Sequence, residues 1–385
     1  MLILEECFWL SVAVVFYVYI GYFFVLKLAI VWGGRKSDVD LTSNKSGEFP
    51  INVTVIVAAH NEEKSIEKRI NNLLKQSYPP RQLEIIVASD GSTDDTVRLA
   101  ERYKEVKVLD FKEQRGRSSV HNDAVKLAGG DIIIFTDAET EFDQDFVAGI
   151  VKNFFDSSVG CVVGNLIYRT QGTSISVSEG FYWKFEKKLR EVESKLGILT
   201  TATGACMAVK KKLWVSLDSI YDCDDITPLD VILQGYQVIY APEAVAYDIP
   251  PSSIMGELKA RIRMTAKQFN GALVKWGWKG WIQHPFHSYS LLSHKILRSL
   301  SPFFFIFSFF CSIFLFNHEL VYRIAFLGYL GFYLLALTGL FGELLKIRIP
   351  IASLAFSFCL ANIGMGTGVV RAIIGKTPTA YKPVE

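Results

Sequence analysis

Four stretches of the chain carry no charged residue over the length that spans a bilayer core, roughly 19 to 22 residues each: Phe8 to Leu26, Ser299 to Asn317, Ile324 to Gly342 and Ile349 to Val370. Between the first and second lies a polar block, about Arg35 to Arg298, where short apolar runs alternate with helical periodicity, the pattern of an α/β domain. Its opening run, "INVTVIVAAHNEEKSIEKRINNLLKQ", predicts a strand ending at Ala58 and Ala59 and then a helix. Asn61 is the expected N-cap, Glu62 and Glu63 the first turn, and Ile66, Ile70, Leu73 and Leu74 the buried stripe. A second strand, "LEIIVAS", breaks at "DGSTDDT", where Gly91 permits a sharp turn and Ser92 or Thr93 can cap the next helix. A third, "DIIIFTDAET", runs from apolar residues into Asp137 and Glu139. Ligands of open α/β sheets bind beyond the carboxyl ends of the strands, which is where His60, Glu62, Asp90 and Asp137 fall.

Composition sharpens this picture. The chain has 385 residues and a net charge of only +2, so it carries no strongly basic nucleic-acid footprint. A mean hydropathy of +0.26 and 28 Phe agree with membrane insertion. Glu5 and Glu6 precede the first apolar stretch while Lys27, Arg35 and Lys36 close it, which places the polar block in the cytoplasm and the N-terminus outside. That stretch is too long, and too poor in a cleavage site, for a signal peptide. Four full crossings would leave Arg371, Lys376 and Lys382 outside, against the same tendency; "GMGTG", Gly364 to Gly368, offers a segment that dips in and returns. The six Cys show no CxxC spacing and read as reduced packing residues.

The expected chemistry centres on the acids. No GxGxxG and no GxxxxGK[ST] opens a helix, so a bound nucleotide's phosphates need another counter-charge. Asp137 and Glu139, spaced i, i+2 at a strand end, point the same way and repel unless a cation lies between them. Hard carboxylate oxygens suit Mg²⁺ or Mn²⁺, with substrate phosphates completing the shell. The plainer alternative makes Asp137 a loop cap and Glu139 a solvated acid.

"VTVIVAAHNEE", "ASDGSTDDT" and "RGRSSVHNDAVKLAGGDIIIFTDAET", followed by "TATGACMAVKKKLW" and "DCDDITPLDVILQGYQVIYAPEAVAYD", resemble in order and spacing a family 2 glycosyltransferase with a GT-A fold. The resemblance implies an α/β domain with a mixed, mainly parallel sheet, joined here to transmembrane and interfacial helices. It implies that Ala59, His60 and Glu62 contact the nucleoside and that Asp90 binds the base, usually uracil. Arg117 stands where the family commonly has Lys. Asp137 matches the metal ligand of the family's DxD, with Glu139 in place of its second Asp. Counting back from Gly235 and Tyr236 puts Asp224 at the catalytic base, with Asp225 as an adjacent rival and Cys223 replacing the usual Glu. The family transfers a sugar from a nucleotide sugar by single displacement with inversion, the metal serving the leaving diphosphate and the carboxylate taking the acceptor's proton.

One departure concerns products. Processive relatives carry QxxRW, and the corresponding run here is "ARIRM", Ala260 to Met264, which keeps Arg261 and Arg263 as candidates to grip a diphosphate. From Lys259 to Arg298 there are eight Lys or Arg and no acid, with Trp276, Trp278 and Trp281 interleaved, the mark of amphipathic helices at an anionic membrane surface. "EGFYWKFEKKLREVESKLG", from Glu179, reads as a helix that packs on the domain or contacts the acceptor; His284, His287 and His294 have no metal spacing. The expected organisation is an N-terminal transmembrane part (1–36), a cytoplasmic glycosyltransferase domain (37–258), a basic interfacial segment (259–298) and a C-terminal transmembrane region (299–385). The expected partners are a nucleotide-sugar donor, a glycan or lipid-linked acceptor and membrane lipids, with no nucleic acid. Other classes to weigh are a non-catalytic membrane scaffold that has kept the fold and a nucleotidyltransferase, whose glycine-rich loop "VAAHNEE" does not supply.

Overall fold

The computed structural model describes residues 1–33, 51–169, 174–249, 253–345, 347 and 349–377, with only the backbone described for 174–182. Arg35, Lys36, the polar linker 37–49 and Lys382 therefore lie outside the described residues.

The helices, in chain order, are α1 (Leu2–Val31), α2 (Ile66–Leu74), α3 (Thr96–Ala100), α4 (Arg117–Leu127), α5 (Phe146–Val151), α6 (Ser174–Lys195), α7 (Cys223–Leu233), α8 (Ile254–Asn270), α9 (Gly277–Gln283), α10 (Pro285–Phe314), α11 (Leu320–Leu344) and α12 (Pro350–Ile373). The strands are β1 (Val53–Ala59), β2 (Leu83–Asp90), β3 (Val106–Phe111), β4 (Ile132–Asp137), β5 (Glu141–Phe142), β6 (Val159–Tyr168), β7 (Met207–Lys210) and β8 (Gln237–Asp248). They form one sheet in the order β3-β2-β1-β4-β7-β6-β8-β5. Strands β3, β2, β1 and β4 run parallel, β7 enters antiparallel to both β4 and β6, and β8 runs parallel to β6, so the sheet is mixed but mainly parallel.

Helices cover both faces of this sheet, which is why β1 and β4 read as continuous apolar runs. Val53, Val55 and Val57 pack with Ile66, Ile70 and Leu73 of α2 on one face, while Ile56, Ile86, Ile133 and Phe135 meet Val120 and Ala124 of α4 on the other. Leu74 of the expected stripe is 40% exposed, because the helix ends there. The second face also takes Ala266 and Phe269 of α8 and Val369 and Ala372 of α12. The core of the α/β block thus continues into the apolar helices.

The expected helix start at Asn61 is corrected. Asn61 adopts the left-handed region with φ 57°, and α2 begins only at Ile66. The Asn61 side chain accepts instead from the Thr93 amide at 2.8 Å, while Glu62 N–H donates to Thr96 Oγ1 at 2.7 Å. The loops after β1 and β2 are zipped together by these bonds, so neither Ser92 nor Thr93 caps α3; Asp95 occupies that position. Gly91, at φ +67°, is fixed twice over, since a Cβ there would lie 2.6 Å from the Gln114 nitrogen.

Four helices, α1, α10, α11 and α12, are long and apolar enough to cross a membrane. A Glu5–His318 contact at 3.0 Å puts the N-terminal end of α1 beside the α10–α11 turn. At the opposite end, Asn270 Nδ2 donates to Thr377 Oγ1 at 2.7 Å, tying the end of α12 to the α/β block. Arg371 and Lys376 consequently sit on the block's side. The "GMGTG" run does not break α12: a Cβ on Gly364 would meet Arg261 Cβ at 2.8 Å and one on Gly368 would meet Thr265 Cβ at 2.7 Å, so these glycines let α12 approach α8. The boundary expected between 258 and 259 falls inside continuous α8, and that between 298 and 299 inside α10.

Candidate active site

A cavity of about 1650 Å³ opens where β4, β6 and β8 end, between the α/β block and the apolar helices. It gathers Arg117, Asp137, Glu139, Asp224, Asp225, Arg261 and Arg263. Ala59, His60, Glu62 and Asp90 form a second group at the adjoining ends of β1 and β2.

Each element delivers its residue for a local reason. Asp137 is the last residue of β4, where parallel pairing with Ala58 of β1 stops and the side chain is released toward the cleft. Gly116, at φ 90°, turns the chain so that α4 starts on Arg117. Its guanidinium lies 2.6 Å from Asp137 Oδ1 and donates to the Gly204 carbonyl at 3.1 Å. Burial lowers the Arg117 pKa, but Asp137, Asp224 and Asp222 outweigh it and hold the group above its usual value. The cation that the spacing of Asp137 and Glu139 demands is thus supplied in part by the protein. Glu139 itself is exposed.

Asp224 and Asp225 open α7, and they face different partners. Asp224 Oδ1 lies beside Gly204, where an added Cβ would come within 3.2 Å of it and within 3.1 Å of Arg117. Asp225 Oδ1 accepts from Gln268 of α8 at 2.9 Å. Burial and then Asp222 raise the Asp224 carboxyl, opposed by Arg117. Burial and then Asp224 push Asp225 up to about 7. Cys223, between two cavity acids in sequence, points into the apolar core.

In the second group, Asp90 accepts the Arg115 and Gly116 amides at 2.7 and 2.9 Å, using one lone pair on each oxygen to hold the turn that launches Arg117. The His60 ring nitrogen Nδ1 lies 2.7 Å from the Asp90 carbonyl. Burial and the nearby Glu139 raise Glu62 to about 7. Glu62, Asp137 and Glu139 therefore crowd negative charge at one place, although among the described residues no three His, Cys, Asp or Glu are close enough to hold a metal unaided. This donor set fits a hard divalent ion that takes its remaining oxygens from a diphosphate and water.

The basic segment does not lie simply against lipid. Lys267 donates to Asp222 Oδ1 at 2.9 Å and is 3% exposed, Arg263 approaches Asp222 at 3.7 Å, Lys275 approaches Asp230 at 3.5 Å, and Arg261 pairs with Glu257. Its cations are largely turned toward the block's own acids, whereas Trp278 is 71% exposed. Asp222 is held below its usual value because Lys267 and Arg263 outweigh its burial.

Several cavity residues escape sequence reasoning. Arg69 is buried, donates to Thr136 Oγ1 at 2.7 Å and lies over the Phe142 ring. Asp248, at the end of β8, is raised to about 7 by burial and then by Asp137. Glu186 and Arg190 of α6 line the cavity and repeat at helical spacing with Glu193, which is buried and not part of the lining; that spacing is the only signal available for them. His294 bridges two of these acids, lying 2.9 Å from both Glu186 and Glu193. Arg298 donates to Glu186 at 2.9 Å, and Arg190 bonds Glu186 and Thr203. Tyr22 and Ser290 complete Glu193 at 2.7 and 3.1 Å. The α6 helix is thus packed into the apolar helices through a buried polar network.

The model of the family described as Glycosyl transferase family 2 matches residues 54–215. Poly-beta-1,6-N-acetyl-D-glucosamine synthase of Staphylococcus aureus (strain COL) is 29% identical over 221 residues, covering 55% of this chain and 53% of that protein. The synthase of the same name from Staphylococcus epidermidis is 25% identical with the same coverage. The chain thus spans about half the length of the curated relatives it matches. Among solved structures, mannosyltransferase PcManGT from Pyrobaculum calidifontis, in complex with GDP-Man and Mn²⁺, superposes with a TM-score of 0.70 at 22% identity, over 97% of this chain and 99% of that one. The sheet order, the cavity at its carboxyl edge and these matches together establish that residues 54–215 form a glycosyltransferase family 2 domain on a GT-A fold.

Proposed function

We propose that the protein is a membrane-integrated, metal-dependent inverting glycosyltransferase. It moves a sugar from a nucleotide sugar, a UDP-sugar by preference, to a glycan or lipid-linked acceptor in polysaccharide or glycolipid synthesis, with its catalytic block in the cytoplasm. The observation that carries this reading is the convergence of Arg117, Asp137 and Asp224 on one cavity between the sheet edge and the apolar helices. A diphosphate held at Asp137 and an acceptor entering beside Asp224 share that space.

The residues divide the work. Asp90 keeps two lone pairs beyond those spent on Arg115 and Gly116, enough to accept N3–H of a uracil, and Ala59, His60 and Glu62 line the nucleoside. Asp137 and Glu139 hold a Mg²⁺ or Mn²⁺, which when bound neutralises the leaving diphosphate. Arg117 adds a fixed positive charge beside the same oxygens, and Arg261 and Arg263 approach from the membrane side. Asp224 accepts the proton of the acceptor hydroxyl as that oxygen attacks the anomeric carbon from the face opposite the diphosphate. Asp225, tied to Gln268, is the alternative base. The family match and the synthase activity of the relatives support the class of reaction, and PcManGT's complex with GDP-Man and Mn²⁺ supports a nucleotide donor and a divalent ion.

Because "ARIRM" replaces QxxRW, the expected product is a single addition or a short chain. The test is a donor screen on purified protein in lipid, with size analysis of the labelled product. Transfer from a UDP-sugar to give short products supports the whole reading. Transfer from a GDP-sugar only would correct the donor, and a high-molecular-weight polymer made by the isolated chain would overturn the product.

A further inference from the structure

The cavity does not end at the acids of α7. It continues past Glu186 and Arg190 onto Lys295, Arg298 and Ser299 of α10 and Met365 of α12, so one end is floored by strand ends and the other by helices apolar enough to enter a membrane. Charges at this second end are nearly all accounted for. Glu186 is held by His294, Arg298 and Arg190, and Glu193 by His294, Tyr22 and Ser290.

Among the cavity's cations without a bond in the described residues, Lys259 and Arg371 are exposed to solvent, and Lys295 is the half-buried one. It lines the cavity, and it makes no hydrogen bond or ion pair among the described residues. The acids acting on it are Glu186, already saturated, and Asp225, already bonded to Gln268. Arg190 and Arg298 flank it with like charge. A half-buried ammonium lining a cavity beside the apolar helices, with no bond of its own to a carboxylate, is costly unless an anion arrives with the ligand.

We propose that Lys295 binds the phosphate of a lipid-linked acceptor, whose chain runs along α10 and α12 while its sugar or terminal hydroxyl reaches Asp224. The assignment rests on the transfer reaction proposed above and names its acceptor class: an amphiphile with a phosphate or diphosphate between an apolar tail and the accepting hydroxyl. Lys295 supplies the point charge, Arg298 stands one turn along the same helix, and Ser299 and Met365 begin the less polar wall.

Binding is read without turnover. Wild type, Lys295→Met and Lys295→Arg in neutral-detergent micelles are titrated with hexadecyl phosphate, with uncharged hexadecyl glucoside and with inorganic phosphate; UDP with Mn²⁺ is titrated on the same samples. Wild type should bind hexadecyl phosphate in preference to both controls. Lys295→Met should weaken it at least about tenfold, the worth of one hydrogen bond to a charged group, while Lys295→Arg stays within about threefold. UDP binding should match in all three. Equal affinity of wild type and Lys295→Met for hexadecyl phosphate would overturn the assignment. So would an equal loss toward the glucoside, or inorganic phosphate binding as tightly as the amphiphile. Should Lys295→Met not fold, wild type decides: hexadecyl phosphate must protect Lys295 from amine acylation, and undiminished labelling refutes the site. Absence of UDP binding in wild type would instead count against the transferase reading, so the two failures are distinguishable.

Discussion

The two ends of the cavity handle charge in opposite ways. At the strand end, Asp225 and Asp248, and Glu62 in the adjoining group, are each pushed up to about 7, first by burial and then by a neighbouring carboxylate. At the helix end, Glu186 is buried more deeply, yet His294, Arg298 and Arg190 overcome burial and hold it well below its usual value. Carboxylates left in mutual repulsion are poised for a cation and a proton; carboxylates saturated by the protein hold helices together. On the function proposed above, the contrast separates the residues assigned to chemistry from those that fix α6 against the apolar helices.

The contrast breaks most visibly at Asp137. Asp137→Asn should abolish metal-dependent UDP binding and cost at least about 10³ in transfer rate while leaving the melting temperature nearly unchanged, because the side chain faces the cleft. Retained metal-dependent UDP binding, read by titration calorimetry, would place the metal elsewhere. Next comes the base. Asp224→Asn should lose on the order of 10² to 10⁴ in transfer with UDP binding intact, and Asp225→Asn should lose less. The reverse ranking in single-turnover assays would exchange their roles.

The helix end should respond oppositely. Glu186→Ala strands Arg190, His294 and Arg298 without their shared acid, and should cost about 3–5 kcal/mol of stability while UDP affinity in the remaining folded protein is kept. A melting curve beside a UDP titration reads both, and loss of UDP affinity without loss of stability would erase the distinction between the two ends.

The smallest effects are those of pH. A carboxylate base works only when ionised, so the rate should rise with pH on an acidic limb lying above the ordinary carboxylate range. Arg117 opposes the upward shift of Asp224, so Arg117→Gln should move that limb higher still. For stability the sign is opposite. Acids with a raised folded pKa bind protons more tightly folded than unfolded, so Asp225 and Asp248 favour the fold below their ordinary 3.8 and lose that contribution as pH rises to about 7. Mn²⁺ with UDP should flatten this slope in melting curves, and an unaltered slope would mean that the acids do not sense the ligand.

What was legible in the sequence follows the range of the interactions. Strands β1, β2 and β4 announce themselves as apolar runs because both sheet faces are covered, and Asp137 is legible as the acid that ends one of them. Asn61 misleads because a capping residue and a left-handed turn residue look alike; its real partner, Thr93, lies 32 residues away. The basic run after Lys259 reads as a lipid-facing surface because the acids that neutralise it, Asp222 and Asp230, come from another helix and its leading turn. His294 has no local signal whatever, since its two acids stand 101 and 108 residues earlier. Short-range pattern therefore fixed the sheet and the acids at its edge, while long-range pairing decided the membrane-side half of the cavity.

The strand-end acids are proposed to serve transfer from a nucleotide sugar. The most direct test of this role is nucleoside diphosphate release by the purified protein in lipid, followed with UDP- and GDP-sugars, with and without acceptor, in Mn²⁺ or in EDTA. The account predicts UDP release that acceptor stimulates, that EDTA abolishes and that Asp137→Asn lacks. No release from any donor, or full release in EDTA, would contradict it.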